Sequence, residues 1–242
     1  MTSESPSLVS GAMNFRDVGG LPAAGGRTRS GVLYRSGNLA GVDEKGLDDL
    51  RMLRLRRIID LRDDAEVHWE PSRTEGLGVE TQRVPLFLGS VTSFFENDVN
   101  LEGLYSTLID QSADKVVEVV RGVIESQPVL VHCTVGKDRT GVTVALTLAA
   151  AGVDADAIVA DYARTERLLP AERNAAVVRR LRSLHPDAVH TEELATRSPA
   201  PVMRDLLARL DAVFGSPTDY LRAHGLGEEE IAELRRLLVE PA

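Results

Sequence analysis

Cysteine occurs once in this chain of 242 residues, at Cys133, within the run His132-Cys133-Thr134-Val135-Gly136-Lys137-Asp138-Arg139-Thr140-Gly141. A thiol attacks as its thiolate, and a helix N-terminus with an arginine close by favours that form. The stretch Thr134, Val135, Gly136, Lys137 and Asp138 between Cys133 and Arg139 can wrap so that its backbone N–H groups point inward as an anion nest, with Gly136 relieving the tight turn. A phosphate would sit above the sulfur, and Arg139 would grip two of its oxygens in a bidentate pair and stabilise the charge of the transition state. Attack would give a phosphocysteine. Thr140 can donate a hydrogen bond to the sulfur when water displaces it, His132 can support the loop through its ring nitrogens, and Gly141 permits close packing where the next helix starts.

Such a loop needs a strand to deliver it and a helix to anchor it. Val129 to His132 is short and apolar up to its last residue and reads as a buried strand, and Thr140 to Gly152 is apolar nearly all round and Ala-rich, so a helix buried at the centre of the fold is predicted. Upstream, a helix starts near Asp43 with acids in its first turn and Arg51 and Arg54 near its end, the charge order that suits a helix dipole. Strands are predicted over Gly31 to Arg35, Arg57 to Leu61 and Glu80 to Leu86. Phe87 to Asn100, with Phe94 and Phe95, lacks periodicity. Ser112 is the predicted N-cap of a helix whose apolar face carries Val116, Val117, Val119, Val120, Val123 and Ile124. Further helices are predicted over Asp154 to Arg164, Ala171 to Leu184, Pro201 to Phe214 with Gly215 as C-cap, and Glu228 to Leu238. The proline-bearing stretch His185 to Pro201 reads as a linker.

Composition is compatible with this site without demanding it. At 43% hydrophobic and 27% charged the chain suits one α/β domain over residues 13–242, with residues 1–12 expected to be a mobile tail. A single cysteine excludes an internal disulfide framework. No apolar run reaches membrane-spanning length and the start is polar rather than basic and then apolar, so stable membrane insertion is not expected and a cytoplasmic location is, with export by a route that needs no signal peptide left open. A net charge of −9 argues against a general nucleic-acid binder, so an anionic ligand has to be captured locally. Lysine occurs only at Lys45, Lys115 and Lys137, which sets Lys137 apart from an arginine-rich background.

The run His132 to Gly141 resembles the signature loop of cysteine-dependent protein tyrosine and dual-specificity phosphatases. Together with Asn14-Phe15-Arg16-Asp17-Val18-Gly19-Gly20, Tyr34-Arg35-Ser36, Asp60-Leu61-Arg62 and Asp161-Tyr162, it is similar to a bacterial branch that has mycobacterial secreted members and atypical lipid-phosphatase-like relatives. The resemblance spans about Asn14 to Arg164. It implies a central, mostly parallel sheet flanked by helices, with the loop at the carboxyl end of a strand. It also implies phosphorylated protein or phosphoinositide substrates: hydrolysis of phosphotyrosine first, with phosphoserine, phosphothreonine and phosphoinositides as further candidates, and Lys137 as a group that helps hold a polyanionic head, the alternative being that Lys137 points to solvent or steadies a loop carboxylate.

The leaving oxygen needs a proton, and a nearby carboxylic acid is the natural donor. The resemblance favours Asp138 in the loop itself. Asp60, at the end of a predicted strand, would reach the same rim and is the second candidate, with pairing to an arginine such as Arg16 as its structural alternative. Asp98 would be the donor in the commoner tyrosine phosphatases, but no Trp-Pro-Asp motif is present, the one tryptophan being Trp69. The expectation is Asp138 as the main acid and Asp60 as a supporting group. The acidic run Asp60, Asp63, Asp64 and Glu66 reads as a solvated loop and helix start rather than a metal site, and the cysteine mechanism calls for no metal or cofactor. Helices between Asp154 and Leu184 can either pack on the core or fold over the site as a lid, since Leu168, Leu169 and Val177 offer apolar surface; lid and linker together would take up residues 154–200. Two other functions compete: a phosphate-binding module without turnover, and a rhodanese-like sulfurtransferase, which would not call for His132-Cys133 and Arg139-Thr140 together.

Overall fold

A computed structural model describes residues 7–86 and 97–241. Most of the aperiodic stretch, including Phe94 and Phe95, and the first six residues lie outside the described residues. The main sheet has five strands in the order β1-β4-β7-β5-β6. They are β1 (Arg16–Asp17), β4 (Leu33–Ser36), β7 (Val129–His132), β5 (Arg57–Asp60) and β6 (Glu80–Arg83). All neighbours run parallel except β1, which is antiparallel to β4. A second small sheet joins β2 (Pro22–Ala23), β3 (Gly26–Thr28) and β8 (Val239–Pro241). This is the expected α/β architecture with a central, mostly parallel sheet.

Strand alternation divides the core in two. Ile58, Leu130 and Tyr34 point to a face covered by Leu47 and Leu50 of α1 (Glu44–Leu53), by Phe15 and by Val9. Ile59, Val131, Val129 and Leu33 point to the opposite face, where the larger set of helices packs. Val9 and Ala12 are buried there as part of the first face, and the Ser10 amide donates to Asp49. The stretch from Ser7 to Ala12 is therefore not the mobile tail its polarity suggested: one valine in the core and a side-chain anchor on α1 outweigh the composition of the segment.

The helices on the larger face are α3 (Leu101–Gln111), α4 (Ala113–Glu125), α5 (Asp138–Ala150), α6 (Ala155–Leu168), α9 (Ala200–Phe214), α10 (Pro217–Ala223) and α11 (Glu228–Leu238). Helix α5 runs down the middle, buried on nearly every side, as its composition predicted. Its two interior threonines cost little there, because Thr143 Oγ1 donates to Arg139 O at 2.8 Å and Thr147 Oγ1 donates to Thr143 O at 2.7 Å. Gly215 ends α9 at φ +95°, the left-handed C-cap expected of it. The stretch predicted as a linker holds a short helix, α8 (Thr191–Thr196), whose Leu194 and Ala195 are buried. It packs against α7 (Ala171–Leu184), none of whose residues is fully buried. Among the described residues no helix is long and apolar enough to cross a membrane.

Candidate active site

Register at the carboxyl end of the sheet places Ser36, His132 and Asp60 side by side on β4, β7 and β5. Beyond His132 the chain turns through residues 133–137 and enters α5 at Asp138. Gly136 is obligatory in that turn: its φ is +71°, and a Cβ there would lie 2.2 Å from Ser36 O. The Gly136 amide in turn donates to Cys133 Sγ at 3.2 Å, a backbone N–H set to stabilise a thiolate. The outer side of the turn is held by carbonyl contacts. Asn14 Nδ2 donates to Gly136 O at 2.9 Å and to Val135 O at 3.2 Å, and Arg35 Nη2 donates to Gly136 O at 3.0 Å. The carbonyls of Val135 and Gly136 are thus tied away from the sulfur while the Gly136 amide is turned to it.

Asn14 and Arg35 are themselves fixed by a buried ion cluster. Arg16 Nε and Arg35 Nη1 each lie 2.8 Å from a different oxygen of Asp161 on α6, and Arg16 also grips Asn14 through its side-chain oxygen. Burial, helped by Arg35, pulls Arg16 down to about 10, and Asp161 acts in the opposite direction. Burial opposes ionisation of Asp161 as well, but Arg16 and Arg35 outweigh it and hold its carboxyl below the ordinary value of 3.8. A depressed carboxyl contributes stability that is present above its unfolded pKa and is lost as pH falls through the folded one. Asp161→Asn leaves two buried cations without a counter-charge, and about 3 kcal/mol of stability is expected to disappear near neutral pH, with the gap to wild type closing as both proteins are taken below pH 3.8. Denaturant melts at pH 7 and pH 3 check this; a gap that does not depend on pH would remove Asp161 from the account.

A cavity of about 230 Å³ opens over the loop, several times the ~30 Å³ share of one water. Its floor is Cys133, Thr134, Val135, Lys137, Asp138 and Arg139. Leu104 of α3 forms one wall, and Arg173, Val177 and Leu181 of α7 with Leu194 and Ala195 of α8 form another. Thus α7 and α8 stand over the site, and Val177 faces it. Glu66 of α2 (Asp64–Trp69) completes the lining.

Glu66 is the cavity-lining residue that the reading of a solvated acidic run missed. Its carboxylate pairs end-on with Arg139, at 2.6 Å to Nη1 and 2.6 Å to Nη2, and accepts a hydrogen bond from Thr134 Oγ1. Burial pushes its pKa up, but the Arg139 fork and the Thr134 hydroxyl outweigh this and hold it down to about 2. Arg139 is buried, which alone would lower its pKa, yet Glu66 and Cys133 raise it, so the guanidinium stays charged. A signal for Glu66 existed in the sequence: Asp63 and Glu66 have capping-box spacing, and both halves of the box form. The box fixes α2 against the loop and aims the glutamate inward.

The two acid candidates separate. Asp138 lines the cavity, its Oδ1 receiving Lys137 Nζ at 2.6 Å and Tyr105 Oη at 3.0 Å. Asp60 is buried behind the loop with both oxygens taken by the Arg62 guanidinium, at 2.9 Å and 2.7 Å, and is not among the cavity-lining residues. The pairing is with Arg62, not Arg16, because Arg16 is committed to Asp161. Burial raises the Asp60 pKa, but Arg62 and His132 outweigh it and hold it below the ordinary value. Asp60 Oδ2 lies 3.7 Å from His132 Nε2, while His132 Nδ1 is 3.3 Å from Cys133 O. Burial pulls the His132 pKa below its ordinary value.

Lys137 is buried and held by Asp138. Thr140 Oγ1 is wholly buried and has no hydrogen-bond partner among the described residues. Gly141 lies flush against Tyr162, whose ring carbons would be 3.1 and 3.2 Å from an added Cβ. Asp98 caps the turn into α8 by accepting from the amides of Val189 and His190.

Comparison with known proteins agrees with this geometry. The sequence matches the tyrosine phosphatase family over residues 8–240. It is 32% identical over 236 residues to a Cupriavidus necator protein whose name marks it as a candidate tyrosine-protein phosphatase, an alignment covering 92% of this chain and 84% of that one. It is 30% identical over 276 aligned positions to the triple specificity protein phosphatase PtpB of Mycobacterium tuberculosis, covering 95% and 97% of the two chains. A match along nearly the whole length, with a cysteine-arginine loop closed around the sulfur, means that this chain belongs to the tyrosine phosphatase family and is an enzyme of that kind, a phosphoric monoester hydrolase.

Proposed function

We propose that the enzyme hydrolyses phosphotyrosine through a phosphocysteine on Cys133, with phosphoserine, phosphothreonine and phosphoinositides as further substrates. The observation that carries this reading is the Gly136 amide donating to Cys133 Sγ in a loop that also presents Arg139 and Asp138 to one cavity. In the first step the thiolate attacks phosphorus and the ester oxygen leaves with a proton from Asp138. In the second, water gives one of its own protons to the Asp138 carboxylate and attacks phosphorus, and sulfur leaves. The amides of residues 134–137 and the Arg139 guanidinium hold the phosphoryl oxygens throughout. Thr140 donates to the departing sulfur, an assignment supported by its otherwise unsatisfied buried hydroxyl. Asp60 acts from behind, keeping Arg62 and His132 in place beneath the loop. Lys137 fixes Asp138 and adds positive charge for a polyanionic substrate. Helices α7 and α8 serve as a cover over one domain, their apolar side chains excluding water from the cavity.

The test is turnover of p-nitrophenyl phosphate that is blocked by vanadate and indifferent to EDTA, followed by rates on phosphotyrosine peptides, phosphoserine peptides and phosphoinositides. Absence of hydrolysis of any aryl phosphate would overturn the proposal, and a rate on phosphoinositides above that on peptides would reorder the substrates. Asp138→Asn is expected to lower kcat on phenyl phosphate about 100-fold, the usual scale for losing a general acid, and far less on p-nitrophenyl phosphate, whose leaving group needs little protonation.

A further inference from the structure

Behind Asp138 stand two buried phenols that no part of the loop chemistry uses. The chain has only four tyrosines. Tyr105 on α3 and Tyr162 on α6 come together with their hydroxyl oxygens 2.7 Å apart and their rings edge to face at 82°. Both are essentially inaccessible to solvent. Tyr105 Oη also lies 3.0 Å from Asp138 Oδ1. Each phenol has one proton to give. Tyr105 gives its proton to the carboxylate, so the proton between the two hydroxyls belongs to Tyr162, and a directed chain runs Tyr162 to Tyr105 to Asp138.

Local structure explains how the chain is built. Asn100 Oδ1 accepts from the Gly103 amide and starts α3, so that Leu101, Leu104, Tyr105 and Leu108 fall on its buried face. Tyr162 packs close to α5 because position 141 is a glycine: a Cβ there would lie 3.1 and 3.2 Å from its ring carbons, tighter than ordinary packing. The signature glycine thus serves the approach of Tyr162 as well as the start of the helix.

We infer that Tyr105 is a positioning residue for the proton-donating carboxyl, and that Tyr162 sets the direction of its hydroxyl. The inference rests on Asp138 being the acid, as proposed above. Lys137 Nζ and Tyr105 Oη both donate to Oδ1, whereas Oδ2 has no hydrogen-bond partner among the described residues. Oδ1 is thereby committed as an acceptor, and Oδ2 is the oxygen that carries the proton. When the thiolate forms its bond to phosphorus, the P–O bond breaks, its electron pair goes to the ester oxygen, and the Oδ2 proton follows. In the second step water gives a proton to Oδ2, its oxygen bonds to phosphorus, and the S–P pair returns to sulfur. A carboxyl free to rotate about its χ2 would spend part of its time with the proton turned from the leaving group. Two donors on one oxygen stop that rotation.

Leaving-group dependence tests this, because a merely structural role lowers stability without selecting among leaving groups. Tyr105→Phe keeps the ring and removes the hydroxyl. It is expected to lower kcat on phenyl phosphate about tenfold and on p-nitrophenyl phosphate less than about twofold. Tyr162→Phe is expected to give the same pattern at about threefold, and it carries the test alone if Tyr105→Phe does not fold. Equal losses on both substrates, or no loss on either, would overturn the inference. Asp138→Asn, run beside them, separates the two readings. If it shows the steep leaving-group dependence and the tyrosine variants do not, only the positioning role falls; if it shows none, the assignment of Asp138 as the acid falls with it.

Discussion

Cys133→Ser is expected to reduce kcat by at least about 10⁴-fold while leaving the phosphate site assembled. The two side chains differ by one atom, and Gly136 N–H, now 3.2 Å from Sγ, remains able to donate to the serine oxygen. On the proposed mechanism what is lost is the nucleophile. A hydroxyl ionises far less readily than a thiol. Glu66 is committed to Arg139, and Asp138 in that mechanism serves the leaving oxygen, on the side of phosphorus opposite the nucleophile. The variant should therefore still bind inorganic phosphate, since Arg139 and the loop amides are untouched, and added phosphate is expected to raise its melting temperature and that of wild type alike. Turnover of p-nitrophenyl phosphate in the variant within tenfold of wild type would end the phosphocysteine mechanism. Loss of both turnover and phosphate stabilisation would instead mean that the sulfur holds the loop together.

The loop and its frame were legible in the sequence because strand, glycine turn and buried helix each have a local signature. Val129 to His132 and the helix after Asp138 fell where hydrophobic patterning put them, and Asp138 of the loop lines the cavity. What was not legible came from pairing across the fold. Asp60 and Asp138 look equivalent as aspartates at the rim of a sheet, and only the fold reveals that Arg62 closes over one and leaves the other in the cavity. Glu66 sat in an acidic run, and acidic runs are usually solvated; its capping box turned it toward an arginine 73 residues away. Helix α3 was missed although Leu101, Leu104, Tyr105 and Leu108 repeat at helical spacing, because the aperiodic stretch before it blurred its start. The short α8 went unseen for a related reason: with Pro186 and Pro199 on either side, six helical residues cannot outvote the breakers.

Arg139→Lys is the second large effect, expected to cost about 10³-fold in kcat/KM, and the reason lies as much with Glu66 as with phosphate. A guanidinium is a flat fork with several donors; an ammonium is a point charge on a flexible stem. Arg139 already uses both Nη atoms on Glu66, with further contacts from Nη1 to Leu61 O at 3.3 Å and from Nη2 to Thr134 Oγ1 at 3.2 Å. These hold the guanidinium plane fixed before any substrate arrives; with its Nη hydrogens so engaged, a bidentate grip on phosphate would displace the longer contacts to Thr134 Oγ1 or Leu61 O while the pair with Glu66 keeps the plane. Lysine keeps the charge but satisfies one oxygen of Glu66 at a time, and it cannot hold that carboxylate and two phosphoryl oxygens together. Glu66 would then compete with the phosphate for the cation instead of orienting it. The double variant Glu66→Gln with Arg139→Lys distinguishes these contributions. If competition is part of the loss, removing the carboxylate charge should recover about tenfold of KM while kcat stays low, since the transition-state fork is still missing. If Arg139→Lys retains kcat/KM within tenfold of wild type, charge alone suffices and the end-on pair with Glu66 has no part in catalysis.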